Sequence, residues 1–72
     1  MKVQIENVKK KFAENFVKIR VKNLLTVKQL AEKSELSRMQ IYHYQSGMAL
    51  PTAYNLEKLA QALNCEVKDF FE

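Results

Sequence analysis

The spacing of hydrophobic and polar positions predicts a chain of short helices. The first helix has Asn7 as its N-cap, ends near Asn23, and carries one apolar stripe at steps of three and four: Val8, Phe12, Phe16 and Ile19. Residues 1–6 instead alternate polar and apolar side chains, a pattern typical of a strand but too short to stand alone. We therefore expect a short extended segment at residues 1–6, either frayed or paired with another chain, and a folded domain at residues 7–72.

Two short helices follow in quick succession. Thr26 is a good cap for a second helix that ends near Ser34, and Ser37 is a good cap for a third helix over residues 38–45. Helices this close along the chain must cross at a steep angle. The small side chain of Ala31 permits a close crossing, and Leu36 can fill the corner beneath the turn.

The remaining residues predict a fourth helix and a closing turn. Gly47 can end the third helix in a left-handed conformation, and Pro51 and Thr52 prepare the next helix start. The fourth helix is expected to run to about Leu63, with Asn64 as its left-handed terminator. Its predicted buried positions are Leu56, Leu59, Ala60 and Leu63. A closing turn or short fifth helix over the core is expected at Val67, Phe70 and Phe71.

Length and composition agree with one small all-α domain of four to five helices. The chain has 72 residues, 47% of them hydrophobic and 28% charged, with one Gly and one Pro. So few turn-forming residues exclude a meander of short strands, and the length excludes a dinucleotide-binding unit or a barrel. A single cysteine, Cys65, cannot form an intramolecular disulfide, and no apolar run reaches the roughly 18 residues of a membrane span. We expect a cytoplasmic protein with no membrane partner.

The residues that most often carry catalysis are too sparse for an enzyme. His43 and Cys65 are the only residues of their types, they lie far apart along the chain, and neither has a companion at a spacing typical of a metal site or a nucleophile and base pair. We expect no catalytic residue, no metal and no cofactor, and we interpret Cys65 as a small buried hydrophobic residue.

Positive charge is concentrated in one part of the chain. The formal net charge is +4, from 12 basic and 8 acidic residues, and residues 9–38 alone hold nine of the basic and three of the acidic ones. An electropositive half is compatible with a polyanionic partner. Rotation of about 100° per residue also divides the third helix into two faces. Ile41 and Tyr44 form the face expected to anchor the helix, and the outward face carries Arg38, Met39, Tyr42 and His43.

Residues 12–71 together resemble the Cro and phage-repressor-type (XRE-type) helix-turn-helix domain. The resemblance covers most of the chain in the right order and spacing. It rests on Ile19-Arg20, Leu30-Ala31-Glu32-Lys33-Ser34, Leu36-Ser37, Ile41, Gly47, Pro51, Leu59-Ala60-Gln61-Ala62-Leu63 and Val67.

The resemblance implies that the third helix enters the major groove of double-stranded DNA. The implied base contacts are Arg38 to guanine, Met39 to a thymine methyl and His43 to a purine edge, and Tyr42 bonds a base or a phosphate. The implied phosphate contacts lie near helix N-termini, where free N–H groups and the helix dipole favour anions: Thr26, Lys28 and Ser37.

Several positions depart from the family pattern. Val27 replaces the usual phosphate-binding Gln, so one phosphate contact is expected to be missing. Leu24 and Glu35 stand where Gly is usual, and we expect Asn23 to take the left-handed conformation in the first case. Gln45 replaces the usual acidic partner of Arg20. We expect Arg20 to gain a neutral hydrogen bond in place of an ion pair and to lean outward. The loop after Gly47 is apolar, with the sequence Met48-Ala49-Leu50.

Two functions of different class follow from this pattern. The first is a sequence-specific DNA-binding transcriptional regulator, acting as a homodimer on a pseudo-palindromic operator. The second is a protein-binding module, such as an anti-repressor, that pairs with another regulator through its apolar surface. The candidates for that surface are Met48, Leu50, Phe70, Phe71 and the extended segment at residues 1–6.

Overall fold

The computed structural model describes residues 5–72, which form four α-helices and one closing 3₁₀ helix. The elements are α1 Ile5–Lys22, α2 Val27–Ser34, α3 Arg38–Gln45, α4 Ala53–Ala62 and the 3₁₀ helix Val67–Phe70. No strand occurs within residues 5–72. The all-α prediction is confirmed, and the predicted closing turn is the 3₁₀ helix.

Helix α1 begins earlier than the sequence pattern indicates. Residues 1–4 of the predicted extended segment lie outside the described residues, but Ile5 and Glu6 form the first turn of α1, so the prediction was wrong for these two positions. Asn7 is consequently inside the helix and is not its N-cap. Glu6 favours the earlier start because its negative charge suits a helix N-terminus, and its carboxylate lies 3.7 Å from the Lys9 ammonium.

Aromatic rings from both ends of the chain form the centre of the core. Phe12 of α1 lies 5.5 Å from Phe16 and 5.4 Å from Phe70, measured between ring centroids, and Tyr44 of α3 meets it edge-on at 6.4 Å. Asn15 fixes the closing 3₁₀ helix by donating its side-chain amide to the Phe70 carbonyl oxygen at 2.9 Å. Fully buried side chains from every element complete this core: Phe12, Phe16, Leu30, Ile41, Leu59, Leu63 and Phe70.

Left-handed residues end the helices where the chain must turn. Gly47 (φ 78°) and Asn64 (φ 53°) occupy the left-handed region as the sequence predicts. Asn23 does not. Its side-chain amide donates to the Ile19 carbonyl oxygen at 2.8 Å and so satisfies the end of α1, and the positive φ of 58° falls on Leu24 instead. The prediction for Asn23 was wrong, because its side-chain amide bonds to the last turn of α1 and the next residue, Leu24, takes the left-handed conformation.

Candidate nucleic-acid interface

The turn between α2 and α3 holds the two helices in a fixed crossing. Glu35 is left-handed (φ 61°), and its backbone N–H donates to the Ala31 carbonyl oxygen, as does that of Leu36 at 3.2 Å. Ala31 and Leu36 are buried at the corner, and Ser34 is buried beside them. The Ala31 and Leu36 side chains are both buried, as their predicted roles in the crossing require. Glu35 itself therefore adopts the left-handed conformation at the position where the family usually has Gly.

Helix α3 has one buried and one solvent-facing side. Ile41 is completely buried and Tyr44 is 6% exposed, so both anchor the helix. Arg38, Met39 and Tyr42 are exposed, Met39 to 63% and Tyr42 to 50%, and His43 is half-buried beside them. The four residues predicted to contact bases therefore share one accessible face. Their contact with DNA stays a prediction.

The N-termini of α2 and α3 are closed by the same arrangement of side chains. Thr26 Oγ1 accepts from the Gln29 backbone N–H at 3.1 Å, and the Gln29 side-chain oxygen accepts from the Thr26 backbone N–H at 2.9 Å. Ser37 and Gln40 repeat this capping box at 3.1 and 3.0 Å. Sequence reasoning found the two hydroxyl caps and missed both glutamines, although the spacing of Ser or Thr to Gln three residues later signals this motif.

The capping boxes leave other donors available at the same helix ends. The first four N–H groups at a helix start have no acceptor in the helical backbone, and each capping box binds two of them. The two that remain belong to residues 27 and 28 of α2 and to residues 38 and 39 of α3. The hydroxyls of Thr26 and Ser37 accept a bond through oxygen, so each keeps its hydrogen for another acceptor. Together with the exposed ammonium group of Lys28, these groups make two anion-attracting helix ends.

Arg20 is oriented inward. Its Nη1 donates to the Leu25 carbonyl oxygen at 2.8 Å, and its Nε is buried without an acceptor. Gln45 Oε1 is likewise buried and accepts no hydrogen bond, so the expected hydrogen bond between Arg20 and Gln45 is not formed. The prediction that Arg20 leans outward was wrong, because the loop after α1 brings a backbone carbonyl within reach of the guanidinium.

Large apolar side chains are exposed in the loop after α3 and at the start of α4. Met48 is 65% exposed, Leu50 36% and Tyr54 70%. The two C-terminal phenylalanines differ: Phe70 is completely buried in the core, whereas Phe71 is 39% exposed. The inclusion of Phe70 in a partner-binding surface was therefore wrong, since neighbouring residues in a helical turn point in different directions.

Neither a metal-binding cluster nor an activated thiol is found among residues 5–72. Within residues 5–72, no three His, Cys, Asp or Glu side chains come together in an arrangement that could hold a metal ion. Burial raises the pKa of the half-buried Cys65 thiol, and the negative charge of Asp69 raises it further. This keeps the thiol protonated and poorly nucleophilic. None of the helices in this part of the chain combines the length and the apolar character that a membrane crossing requires.

Comparison with known proteins supports this geometry. The sequence matches the model of a helix-turn-helix family over residues 17–70. Among solved structures, the restriction-modification controller protein C.AhdI from Aeromonas hydrophila matches with a TM-score of 0.83 and 28% sequence identity. The match covers 88% of this chain and 96% of that one. No curated protein matches the sequence significantly.

Proposed function

The chain belongs to the XRE-type helix-turn-helix family of DNA-binding transcription regulators, and on that premise we propose that it reads operator DNA in the major groove with α3. The observation that carries this proposal is the division of α3, in which Ile41 and Tyr44 are buried while Arg38, Met39 and Tyr42 face solvent. A helix anchored on one side and open on the other can enter the groove without displacing any part of the protein.

Each outward side chain has a base edge that suits its chemistry. The guanidinium of Arg38 matches the two acceptors of guanine in a bidentate contact, worth about 1–3 kcal/mol of discrimination. The exposed thioether of Met39 packs against a thymine methyl group. Tyr42 and His43 carry groups that both donate and accept, and they suit a base edge or a phosphate.

The helix N-termini supply the contacts to the DNA backbone. Thr26 and Ser37 each present a hydroxyl hydrogen beside free backbone N–H groups, and Lys28 adds a positive charge one residue into α2. Because the two capping boxes hold these groups in place, the phosphates on both sides of the groove would meet fixed donors. Val27, which packs against the core, makes no polar contact of this kind.

The regulator acts as a homodimer. Two copies related by a two-fold axis present their α3 helices to half-sites about 34 Å apart on a pseudo-palindromic operator. Occupation of such an operator in the cytoplasm of a bacterial cell represses a promoter that it overlaps. The structural similarity to a restriction-modification controller supports a regulatory role.

Selection of bound sites from random duplexes tests this proposal most directly. Arg38→Ala is expected to relax one position of the selected motif and to cost about 1–3 kcal/mol on the best site. Lys28→Ala is expected to weaken all duplexes alike and to reduce the dependence of log affinity on log salt by about one unit.

Lys68→Ala is the matched control for Lys28→Ala. It removes the same charge from the 3₁₀ helix, which packs against α1 and α4, and it should leave both the motif and the salt dependence nearly unchanged. If Arg38→Ala leaves the selected motif intact, the proposed docking of α3 is wrong.

The exposed apolar side chains of Met48, Leu50 and Tyr54 support a second candidate function, pairing with another regulator as an anti-repressor. Met48 and Leu50 lie in an uncharged stretch of the loop after α3, whereas the Lys58 ammonium lies 4.7 Å from the centre of the Tyr54 ring. The test is co-elution of the purified chain with each regulator encoded nearby. A complex that Met48→Ser together with Leu50→Ser dissolves supports pairing, and the absence of any complex discards it.

A further inference from the structure

Both methionines in the described part of the chain lie on its surface. Met39 is 63% exposed and Met48 65%, and no methionine belongs to the core formed within residues 5–72. A dissolved oxidant can therefore reach either thioether. Oxidation of a buried methionine disrupts the packing around it, whereas these two side chains can be oxidised while the core stays intact.

Met39 differs from Met48 in its position. Met39 lies in the first turn of α3, on the outward side that also carries Arg38 and Tyr42. Met48 lies in the loop between α3 and α4. A chemical change at Met39 therefore alters the surface assigned to DNA, and the same change at Met48 does not. Because their exposure is almost equal, the two residues form a matched pair.

The thiol of Cys65 competes poorly for an oxidant. Burial raises the pKa of this half-buried thiol, and the negative charge of Asp69 raises it further, so the thiol is protonated at neutral pH. Peroxides attack the thiolate form. A thioether has no proton to lose and keeps its sulfur lone pair at every pH. Met39 thus offers an oxidant an accessible sulfur while Cys65 is held in its less reactive form.

We propose that Met39 is a site of reversible oxidation that weakens operator recognition. The proposal rests on the proposed function, in which the Met39 thioether packs against a thymine methyl group. Hydrogen peroxide transfers one oxygen atom to the sulfur: the sulfur lone pair forms the S–O bond, the O–O bond breaks, and the remaining oxygen leaves as water. The sulfur is oxidised by two electrons and the peroxide is reduced by two.

Thiols reverse the change. Two thiol groups supplied through a methionine sulfoxide reductase give up two electrons and two protons, and the products are the thioether, a disulfide and water. The sulfoxide has two epimers, and each is reduced by its own enzyme, so complete reversal requires both reductases.

Oxidation replaces an apolar contact group with a polar one. The sulfoxide oxygen accepts hydrogen bonds, but a thymine methyl group has no donor to offer it. Packing the sulfoxide against the methyl group would remove a polar oxygen from water without a partner. We therefore expect the oxidised chain to bind its best operator about fivefold more weakly or worse, the cost of one mismatched base pair.

Operator binding of the full chain before and after treatment with hydrogen peroxide tests the proposal, and peptide mass spectrometry locates the added oxygen. We expect oxygen on Met39, an unchanged circular dichroism spectrum, the loss of affinity given above, and recovery with both reductases and dithiothreitol. A chain that carries the sulfoxide at Met39 and binds the selected operator with unchanged affinity overturns the proposal. So does a Met39 that stays reduced while Met48 is oxidised.

Single substitutions assign the response to one sulfur. Met48→Leu and Cys65→Ser both retain Met39, and each should lose affinity on peroxide treatment as the unaltered chain does. Met39→Leu lacks the sulfur, so peroxide should leave whatever affinity this variant has unchanged. A peroxide response that persists in Met39→Leu, or that disappears in either of the other two variants, overturns the proposal.

Thymine and uracil distinguish this proposal from operator reading itself. Replacing each thymine of the selected half-site in turn by uracil deletes only a methyl group. At the base pair that faces Met39, the reduced chain should prefer thymine and the oxidised chain should bind both duplexes about equally. If oxidation leaves that preference unchanged, the oxidation proposal is wrong and operator reading stands. If the reduced chain selects no operator at all, operator reading fails, and the oxidation proposal fails with it.

Discussion

The Asn55 side-chain amide donates a hydrogen bond to the Tyr44 hydroxyl at 3.2 Å and so joins α4 to α3. Tyr44 is one of the two side chains that anchor the buried side of α3, and its ring meets Phe12 edge-on. The bond is partly buried, so removal of the Tyr44 hydroxyl would leave the Asn55 amide without a partner and poorly solvated. This bond therefore fixes the rotation of α3 about its axis as well as its distance from the core.

Tyr44→Phe is expected to lower the free energy of unfolding by about 1 kcal/mol, since it removes one partly buried hydrogen bond and keeps the ring. Chemical denaturation monitored by circular dichroism measures the change. Tyr54→Phe is the matched control, because it removes a hydroxyl from a side chain that is 70% exposed, and it should alter stability by much less. Equal effects of the two substitutions would show that the Asn55 contact contributes nothing.

Leu24→Gly is expected to stabilise the protein by about 1 kcal/mol, because Leu24 holds a φ of 58° that glycine adopts without strain. The side chain is 87% exposed, so little buried apolar surface is lost with it. Thermal unfolding of the variant measures the gain. Asn64→Gly serves as the comparison, and its smaller gain follows from the tolerance of asparagine for the same region. A destabilised Leu24→Gly chain would contradict the argument from strain.

Local chemistry explains which parts of the fold could be predicted from the sequence. Thr26 and Ser37 fix the starts of α2 and α3 through bonds to residues three positions away, and such contacts can be recognised in a short stretch of sequence. The left-handed Leu24 could not be predicted, because the choice between it and Asn23 depends on an amide that reaches back to Ile19.

Contacts between distant parts of the chain limited the prediction of the site. The inward orientation of Arg20 depends on the path of the loop that carries the Leu25 carbonyl oxygen, which no local pattern reveals. The division between buried Ile41 and exposed Arg38 followed directly from helical rotation and agrees with the structure. Which bases those exposed side chains contact stays a prediction, since it depends on the DNA as well.

Gln45→Met is expected to raise the free energy of unfolding by about 1 kcal/mol, because a buried carbonyl oxygen without a donor is replaced by an apolar group of similar length. Urea denaturation of the variant measures the effect. Gln61→Met, at an exposed position of α4, is the control and should give no gain. Loss of stability in Gln45→Met alone would show that this oxygen is satisfied in solution.

Cys65 is expected to react slowly with alkylating reagents at neutral pH, because burial and the Asp69 carboxylate raise the pKa of its thiol. The native state therefore holds the thiol proton more firmly than the unfolded chain does. The resulting stability is fully present below the ordinary thiol pKa and is lost as the pH rises from that value through the raised pKa of the native state.

The rate of alkylation measured against pH tests this expectation. Asp69→Asn keeps an oxygen that can accept from the Glu66 backbone N–H and removes the negative charge, so it should shift the rate profile toward lower pH. Since burial is the larger cause of the raised thiol pKa, the pKa of Cys65 should stay above its ordinary value in the Asp69→Asn variant. A profile identical to that of free cysteine would contradict the argument.

The paired capping boxes of α2 and α3 have a thermodynamic consequence. Both helix starts are closed by side chains of their own helix, Gln29 on Thr26 and Gln40 on Ser37, before any ligand arrives. Neither α2 nor α3 then has to fold as the complex forms. Calorimetry of DNA binding should accordingly show a heat-capacity change that the surface buried between protein and DNA explains by itself. Folding of α2 or α3 on binding would add a further contribution, which we do not expect.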